Sequence, residues 1–405
     1  MERARGFLAA TLWLAIAGLG LIGSPQAGLS QDNGEPIVIG ESLTLHSHVL
    51  GEDRPLLVYT PTGYAGSGAT YPVLYLLDGD AHFHHTTGII DFLSGNGHMP
   101  QTIVVALPNT DRTRDLTPVT ATDTANRFPT AGGAENFLSF LVDELMPYVK
   151  ANYRTAPYDI LVGHSFGGLF AVYALLERPD AFDAYVSISP SLWWNDGALI
   201  SEAKTFFAKH DDADAFLFMT MGNEGGQMLA GAWEFAAVLE EMAPDSFDWE
   251  FALMEEETHG SIPHRTTYRA LERLYDGWRI PDFGFLAEEG GLEAFDAHYA
   301  RLSSKYGYEI ITPERIVNQL GYWYLGQDRV QEAIATFKRN VEVYPGSANV
   351  YDSLGDGYDA AGEVRLAEQN YARAVELAEA TDHPNLGVYR ANLERIRTAI
   401  SSTRD

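Results

Sequence analysis

From about Ile37 to Ile280 the chain alternates short β-branched or aromatic runs with stretches whose apolar residues return every three to four positions. Alternating or wholly apolar runs mark strands, recurrence at three to four marks amphipathic helices, and the two in alternation predict an α/β sheet. Strands are expected at Ser42–Leu50, Arg54–Thr60, Pro72–Leu77, Thr102–Leu107, Tyr158–Gly163, Tyr185–Ile188, Ala215–Met221 and Phe247–Met254. Eight strands make a full doubly wound sheet. Only Gly51–Asp53 separates the first two, so they read as an antiparallel hairpin. Helices are expected over Ala134–Asn152, where Phe137, Leu141, Leu145 and Tyr148 share a face, and over Phe166–Glu177, Gln227–Met242 and His264–Gly277.

After Arg279-Ile280-Pro281 strand-like runs almost vanish, and Ala, Glu, Leu and Tyr dominate an all-helical tail. Within it the sequence repeats at an offset of 34: Leu320/Leu354, Gly321/Gly355, Tyr324/Tyr358, Ala333/Ala367, Phe337/Tyr371 and Val341/Val375. With Pro345 closing the first unit, this spacing resembles the tetratricopeptide repeat. Val317 and Tyr351 stand where that repeat usually has Trp, and Glu379 where it has Pro. Two repeats are expected, with a bridging helix near Leu292–Tyr306 before them and a capping helix over Asn385–Ile400 after them.

The 405 residues, 46% of them hydrophobic, are too many for one ordinary domain and too apolar for a disordered chain. A net charge of −29 argues against nucleic acid or an anionic membrane as partner, since both need basic patches. The absence of cysteine excludes disulfides, a thiol nucleophile, iron–sulfur clusters and cysteine-bound zinc, so the chemistry must come from oxygen and nitrogen side chains. Arg3 and Arg5, an apolar run from Gly6 to Gly23 and the small residues Gly28 and Ser30 describe a signal peptide cleaved after Ser30. An uncleaved anchor is the alternative, although many Ala and Gly weaken it. No later segment is long and apolar enough to span a membrane. A secreted or periplasmic protein is expected.

The strand Tyr158–Val162 runs into Gly163-His164-Ser165-Phe166-Gly167-Gly168 and then a helix, the strand–turn–helix setting that a Gly-x-Ser-x-Gly nucleophile elbow requires. Ser165 is the candidate nucleophile. In this arrangement the acid and then the histidine follow in chain order. His259, in Glu257-Thr258-His259-Gly260-Ser261 just past the last strand, is the candidate base; His210, His264, His298 and His383 sit in or at the end of helices. Glu224 is the carboxylate on the loop after Ala215–Met221 and the candidate acid, with Asp245 and Glu255–Glu257 as alternatives. Acyl transfer also needs two backbone amides aimed at the oxyanion. Phe166, next to the serine, supplies one, and Asp80, after Asp78-Gly79 on the loop following Tyr71–Leu77, the other. Trp193 and Trp194 either wall the substrate pocket or pack beneath it. Arg112 either holds an anionic substrate group or pairs with Asp111 or Asp115. His82, His84 and His85 lack a carboxylate at ligand spacing, so pocket lining is preferred to a metal site and no cofactor is called for.

YPVLYLLDGD, Asn109–Asp115, GHSFGG, Ser189-Pro-Ser-Leu-Trp-Trp194 and ETHGSIPH together resemble the putative-esterase family of α/β-hydrolases, which includes enterochelin and salmochelin esterases, feruloyl esterases, esterase D and, more distantly, mycolyltransferases. The resemblance spans roughly Ile37–Ile280. It implies Ser165 as nucleophile, His259 as base, Glu224 as acid and the Asp80 and Phe166 amides as oxyanion hole; some siderophore esterases of the family are described as Ser–His dyads. The organisation expected is a signal peptide (1–30), an α/β-hydrolase catalytic domain (31–281), a bridging helix and linker (282–311) and tetratricopeptide-like repeats with a cap (312–405). A serine carboxylic-ester hydrolase acting on a small-molecule ester is the leading reading. Acyl transfer on the same fold, and a scaffold that binds a protein partner or itself through the repeats, are the rivals.

Overall fold

In the computed structural model the described residues are 36–66, 68–121, 124–381 and 383–402, and the expected signal peptide lies outside them. All the secondary structure described lies within Ile39–Asp405. The strands are β1 (Glu41–Ser47), β2 (Glu52–Tyr59), β3 (Tyr71–Leu77), β4 (Ile103–Leu107), β5 (Thr155–His164), β6 (Ala184–Ile188), β7 (Phe216–Gly222) and β8 (Asp248–Met254). They form one sheet in the order β1-β2-β4-β3-β5-β6-β7-β8. β1 and β2 form the expected antiparallel hairpin, β2 pairs antiparallel with β4, and every later pairing is parallel. A parallel strand covered on both faces must be apolar throughout, and β3, β4, β6 and β7 are buried at every position.

The helices of this part are α1 (Gly79–Gly95), α2 (Arg112–Leu116), α3 (Thr124–Arg127), α4 (Ala134–Ser139), α5 (Met146–Asn152), α6 (Phe166–Glu177), α7 (Ala198–Phe207), α8 (Gly226–Met242) and α9 (Ile262–Leu274). A π-helical stretch, Phe140–Leu145, joins α4 to α5, so the single helix expected over 134–152 is continuous but widened at its centre. Alternate residues of each strand feed two cores. Val73, Tyr75, Leu161 and Met219 pack with α4, α6, α7 and α8 on one face. Leu74, Leu76, Ile160 and Val162 pack with α1 and α9 on the other.

The tail is helical as expected: α10 (Phe283–Glu289), α11 (Gly291–Tyr306), α12 (Glu314–Leu325), α13 (Val330–Val343), α14 (Ala348–Ala360), α15 (Val364–Ala380) and α16 (Leu386–Ser402). Gly321 lies so close to Phe337, and Gly355 to Tyr371, that a methyl group at either glycine would overlap the ring. The two helical hairpins α12/α13 and α14/α15 therefore repeat one contact at the offset of 34 seen in the sequence. The tail also shares the second core. Tyr275 and Trp278, just past α9, are buried with Tyr299 and Tyr306 of α11. Tyr306 donates to the Leu274 carbonyl at 3.0 Å, and the His298 ring contacts the Trp278 carbonyl at 3.1 Å.

Candidate active site

Three non-glycine residues with positive φ follow three adjacent central strands: Asp78 (φ 54°) after β3, Ser165 (φ 61°) after β5 and Ser189 (φ 41°) after β6. Such backbone costs about 1–3 kcal/mol per residue and persists only where the surroundings enforce it, which marks this rim of the sheet as a built site. At Ser165 the enforcement is visible. Its N–H donates to the Ile188 carbonyl at 2.9 Å, and its carbonyl accepts from Ser191 at 3.2 Å. A side chain at Gly163 would collide with the Gly167 carbonyl, so the strand can turn into α6 only with glycine there.

His259 lies on the loop between β8 and α9. Its Nδ1 contacts Glu224 Oε2 at 2.7 Å, and the carboxylate is nearly buried, with 9% of the side chain exposed. Facing a carboxylate, Nδ1 carries the proton, and Nε2 is left as the acceptor. The other Glu224 oxygen accepts from Ser189 Oγ at 2.5 Å, and Ser189 Oγ accepts from the Gly222 amide at 3.3 Å. Of the carboxylates considered, Glu224 is the one that meets His259: Glu257 is engaged by Ser261 and Arg265, and Glu256 by Arg265. Among the described residues no hydrogen bond joins Ser165 Oγ to His259; in resting sites this bond is often long and tightens with substrate. His164, next to the serine, brings its ring centroid to 4.4 Å from that of His259.

Beneath these rings runs a row of imidazoles. His82 lies edge-on 5.8 Å from His164, His82 Nδ1 meets His85 Nε2 at 3.0 Å, and His85 lies 5.4 Å from His264. Burial first, then the neighbouring His259 and His82, pushes His164 down to about 3. His85 falls to about 4 through burial and the adjacent histidines, and His82 is also lowered, chiefly by burial. His164 and His85 are therefore neutral at ordinary pH. Among the described residues no group of three or more His, Asp or Glu is arranged to hold a metal.

Asp80 and Phe166 occupy the first turns of α1 and α6, where backbone amides have no acceptor within their own helix. Phe166, Phe128, Trp193 and Trp194 form one aromatic group, with Phe128 5.4 Å from Phe166 and Trp193 6.3 Å from it. Trp193 is half-buried and donates to Met228 Sδ at 3.0 Å; Trp194 is buried and donates to the Pro118 carbonyl at 3.0 Å. Arg112 pairs with neither Asp111 nor Asp115. Asp111 caps α2 by accepting from the Arg114 amide, and buried Asp115 is taken by Arg54 and Arg114. The partner of Arg112 is Asp78. Asp78 and Ser189 were missed as site residues in the sequence, although both stand within motifs that carried the resemblance.

The strand order and a strained serine between a central strand and its helix define the α/β-hydrolase class. The Putative esterase family matches residues 47–259, and the chain belongs to it. A siderophore triacetylfusarinine C esterase of Aspergillus fumigatus is 33% identical over 215 residues, 48% of this chain and 66% of that protein. A siderophore enterobactin esterase of Emericella nidulans is 34% identical over 177 residues, 38% of this chain and 56% of that one. The chain thus spans less than two thirds of the length of these relatives. Among solved structures, an IroE-like serine hydrolase from Shewanella oneidensis is 29% identical, covers 75% of this chain and 99% of its own, and superposes with a TM-score of 0.66.

Proposed function

We propose that this chain is an exported serine esterase that cleaves carboxylic esters through an acyl-enzyme. The observation that carries the reading is the Glu224–His259 pair at 2.7 Å, set beside a serine held at positive φ. Ser165 Oγ attacks the ester carbonyl carbon while His259 Nε2 takes its proton, and the Asp80 and Phe166 amides face the oxygen as it becomes an oxyanion. Collapse expels the alcohol oxygen, which receives the proton from His259. Water then repeats the sequence on the acyl-enzyme and releases the acid. Glu224 keeps Nδ1 protonated and balances the imidazolium. The aromatic wall of Phe128, Phe166 and Trp193 suits a flat unsaturated group, and the relatives are named for siderophore esters, so esters of that class are the substrates proposed.

The test is fluorophosphonate labelling together with turnover of a panel of esters varied separately on the acyl and alcohol sides. Wild type is expected to label and hydrolyse, and Ser165→Ala to do neither. Full labelling of Ser165→Ala would remove the assignment. Export is tested by fractionating cells that express the full chain and sequencing the N-terminus of the exported protein, which is expected to begin after Ser30.

A further inference from the structure

Arg112, the first residue of α2, reaches across to two segments at once. Its Nε donates to Asp78 Oδ1 at 2.6 Å and its Nη2 to Asp78 Oδ2 at 2.9 Å. Nη2 donates also to the His164 carbonyl at 3.0 Å, and the guanidinium lies 5.5 Å from the centre of the Phe166 ring. Asp78 is two residues before Asp80, and His164 is two residues before Phe166. One side chain therefore grips both strand ends that carry the two amides assigned to the oxyanion hole. We propose that Arg112 is a positioning residue that fixes the spacing of the Asp80 and Phe166 amides and does not touch substrate. The inference rests on the serine-esterase reading above.

Everything around the strap is held. Asp78 is buried in a left-handed conformation, its carbonyl accepts from the Ala81 and His82 amides, and its Oδ1 also accepts from Asn109 at 2.7 Å. Burial works to raise the Asp78 carboxyl, but the hydrogen bonds and charge of Arg112, with Asn109, outweigh it and hold it below the ordinary value. On the far side of α2, Arg114 and Asp115 bind Glu52 and buried Arg54 of β2, so the root of Arg112 cannot drift. A planar guanidinium is the side chain that can serve a carboxylate in bidentate fashion and still reach a carbonyl; an ammonium cannot do all three. With its charge already matched by Asp78, Arg112 has little left to offer an anionic substrate.

The experiment uses the full chain carrying Arg112→Met, Arg112→Lys, Asp78→Asn or the double change Asp78→Asn/Arg112→Met. Turnover is measured on a neutral ester and on the same ester bearing a carboxylate, along with inhibition by an arylboronic acid whose tetrahedral adduct needs the oxyanion hole. Removing one oxyanion donor outright costs about 10²–10³-fold, so loosening two is expected to lower kcat about 30- to 100-fold in Arg112→Met, with KM within about threefold on both esters. Boronate binding should weaken in proportion. Arg112→Lys should lose about tenfold, and the double variant should be no worse than Arg112→Met, because both changes break one contact. A rise in KM confined to the carboxylate ester, unchanged kcat, unchanged boronate binding or additive losses would overturn the proposal. If Arg112→Met does not fold, the near-isosteric Asp78→Asn and the charge-preserving Arg112→Lys decide it by the same readouts. Wild type that neither labels nor hydrolyses would be a failure of the esterase reading itself, visible before any variant is compared.

Discussion

Glu224→Gln changes one atom and tests the acid directly, because Glu224 accepts two hydrogen bonds at once, from His259 Nδ1 at 2.7 Å and from Ser189 Oγ at 2.5 Å. Glutamine has one acceptor oxygen and an amide group that only donates. If its oxygen stays with His259, the amide faces Ser189, whose hydroxyl must then accept from it as well as from Gly222. If its oxygen stays with Ser189, the amide faces Nδ1 and forces the histidine proton onto Nε2, the atom that the proposed mechanism needs as acceptor for the Ser165 proton. In both cases the charge opposite the imidazolium is lost. A hydrogen bond to a charged group contributes about 1.5–3 kcal/mol, or roughly 10- to 150-fold in rate, and the comparable change in other triads, where the tautomer is also wrong, costs about 10⁴-fold. The expected fall in kcat is therefore between about 10 and 10⁴, with KM little altered. Ser189→Ala removes only the brace on the carboxylate and should cost about two- to tenfold. Steady-state kinetics on an activated ester, with circular dichroism to check the fold, gives both numbers. A Glu224→Gln enzyme within tenfold of wild type, or a Ser189→Ala enzyme as damaged as Glu224→Gln, would refute the argument and favour a Ser–His dyad.

Three further outcomes are expected. His164 sits near 3 in the folded chain against about 6.5 when unfolded, so below pH 6.5 the unfolded chain binds a proton that the folded one refuses, and stability is lost as pH falls toward 3. His164→Phe should make the loss of unfolding free energy between pH 6.5 and 5 smaller by up to about 2 kcal/mol in urea titrations; equal slopes would contradict the buried neutral ring. Gly163→Ala places a methyl group against the Gly167 carbonyl and should destabilise by about 3 kcal/mol or more, so a variant melting within a few degrees of wild type would mean that the elbow is not closed as described. Truncation after Pro281 strips the cover from Tyr158, Tyr275 and Trp278 and, at about 1.5–3 kcal/mol per side chain, should cost roughly 5 kcal/mol or more; an unchanged thermal midpoint of the shortened chain would refute that coupling.

The sheet was legible because burial on both faces forces apolar runs, and each of the eight expected strands overlaps an observed one, with ends a few residues off. α1 was not read. Its sequence, with His82, His84, His85, Thr86 and Thr87 in the first turns, has too few apolar residues for a period to stand out: of its buried residues Gly79, Thr86, Thr87, Ile89, Ile90 and Leu93, only the last three are aliphatic. That omission hid the histidine row, since His82 and His85 come to lie one turn apart under the elbow only once α1 is a helix. The contact between Glu224 and His259 was inferred from loop order, which topology fixes. The partner of Arg112 was not, because Asp78 is 34 residues away and loop conformation decides which of several nearby carboxylates a guanidinium meets.

The tail and the site sit at opposite ends of one strand. Tyr158, near the start of β5, lies edge-on 5.4 Å from Tyr306 of α11, while Ser165 follows the last residue of the same strand. Seven residues of strand at about 3.3 Å each separate them by roughly 23 Å. The anchoring contacts of α11 go to the Leu274, Asp276 and Trp278 carbonyls, at and just past the end of α9 that is remote from the His259 loop. None of these anchoring contacts reaches Phe128, Trp193 or the Asp78–Asp80 turn. The tail's influence on turnover must pass through the stability of the sheet, so variants that loosen Tyr306 or Trp278 should lower the unfolding temperature well before they change KM for any ester.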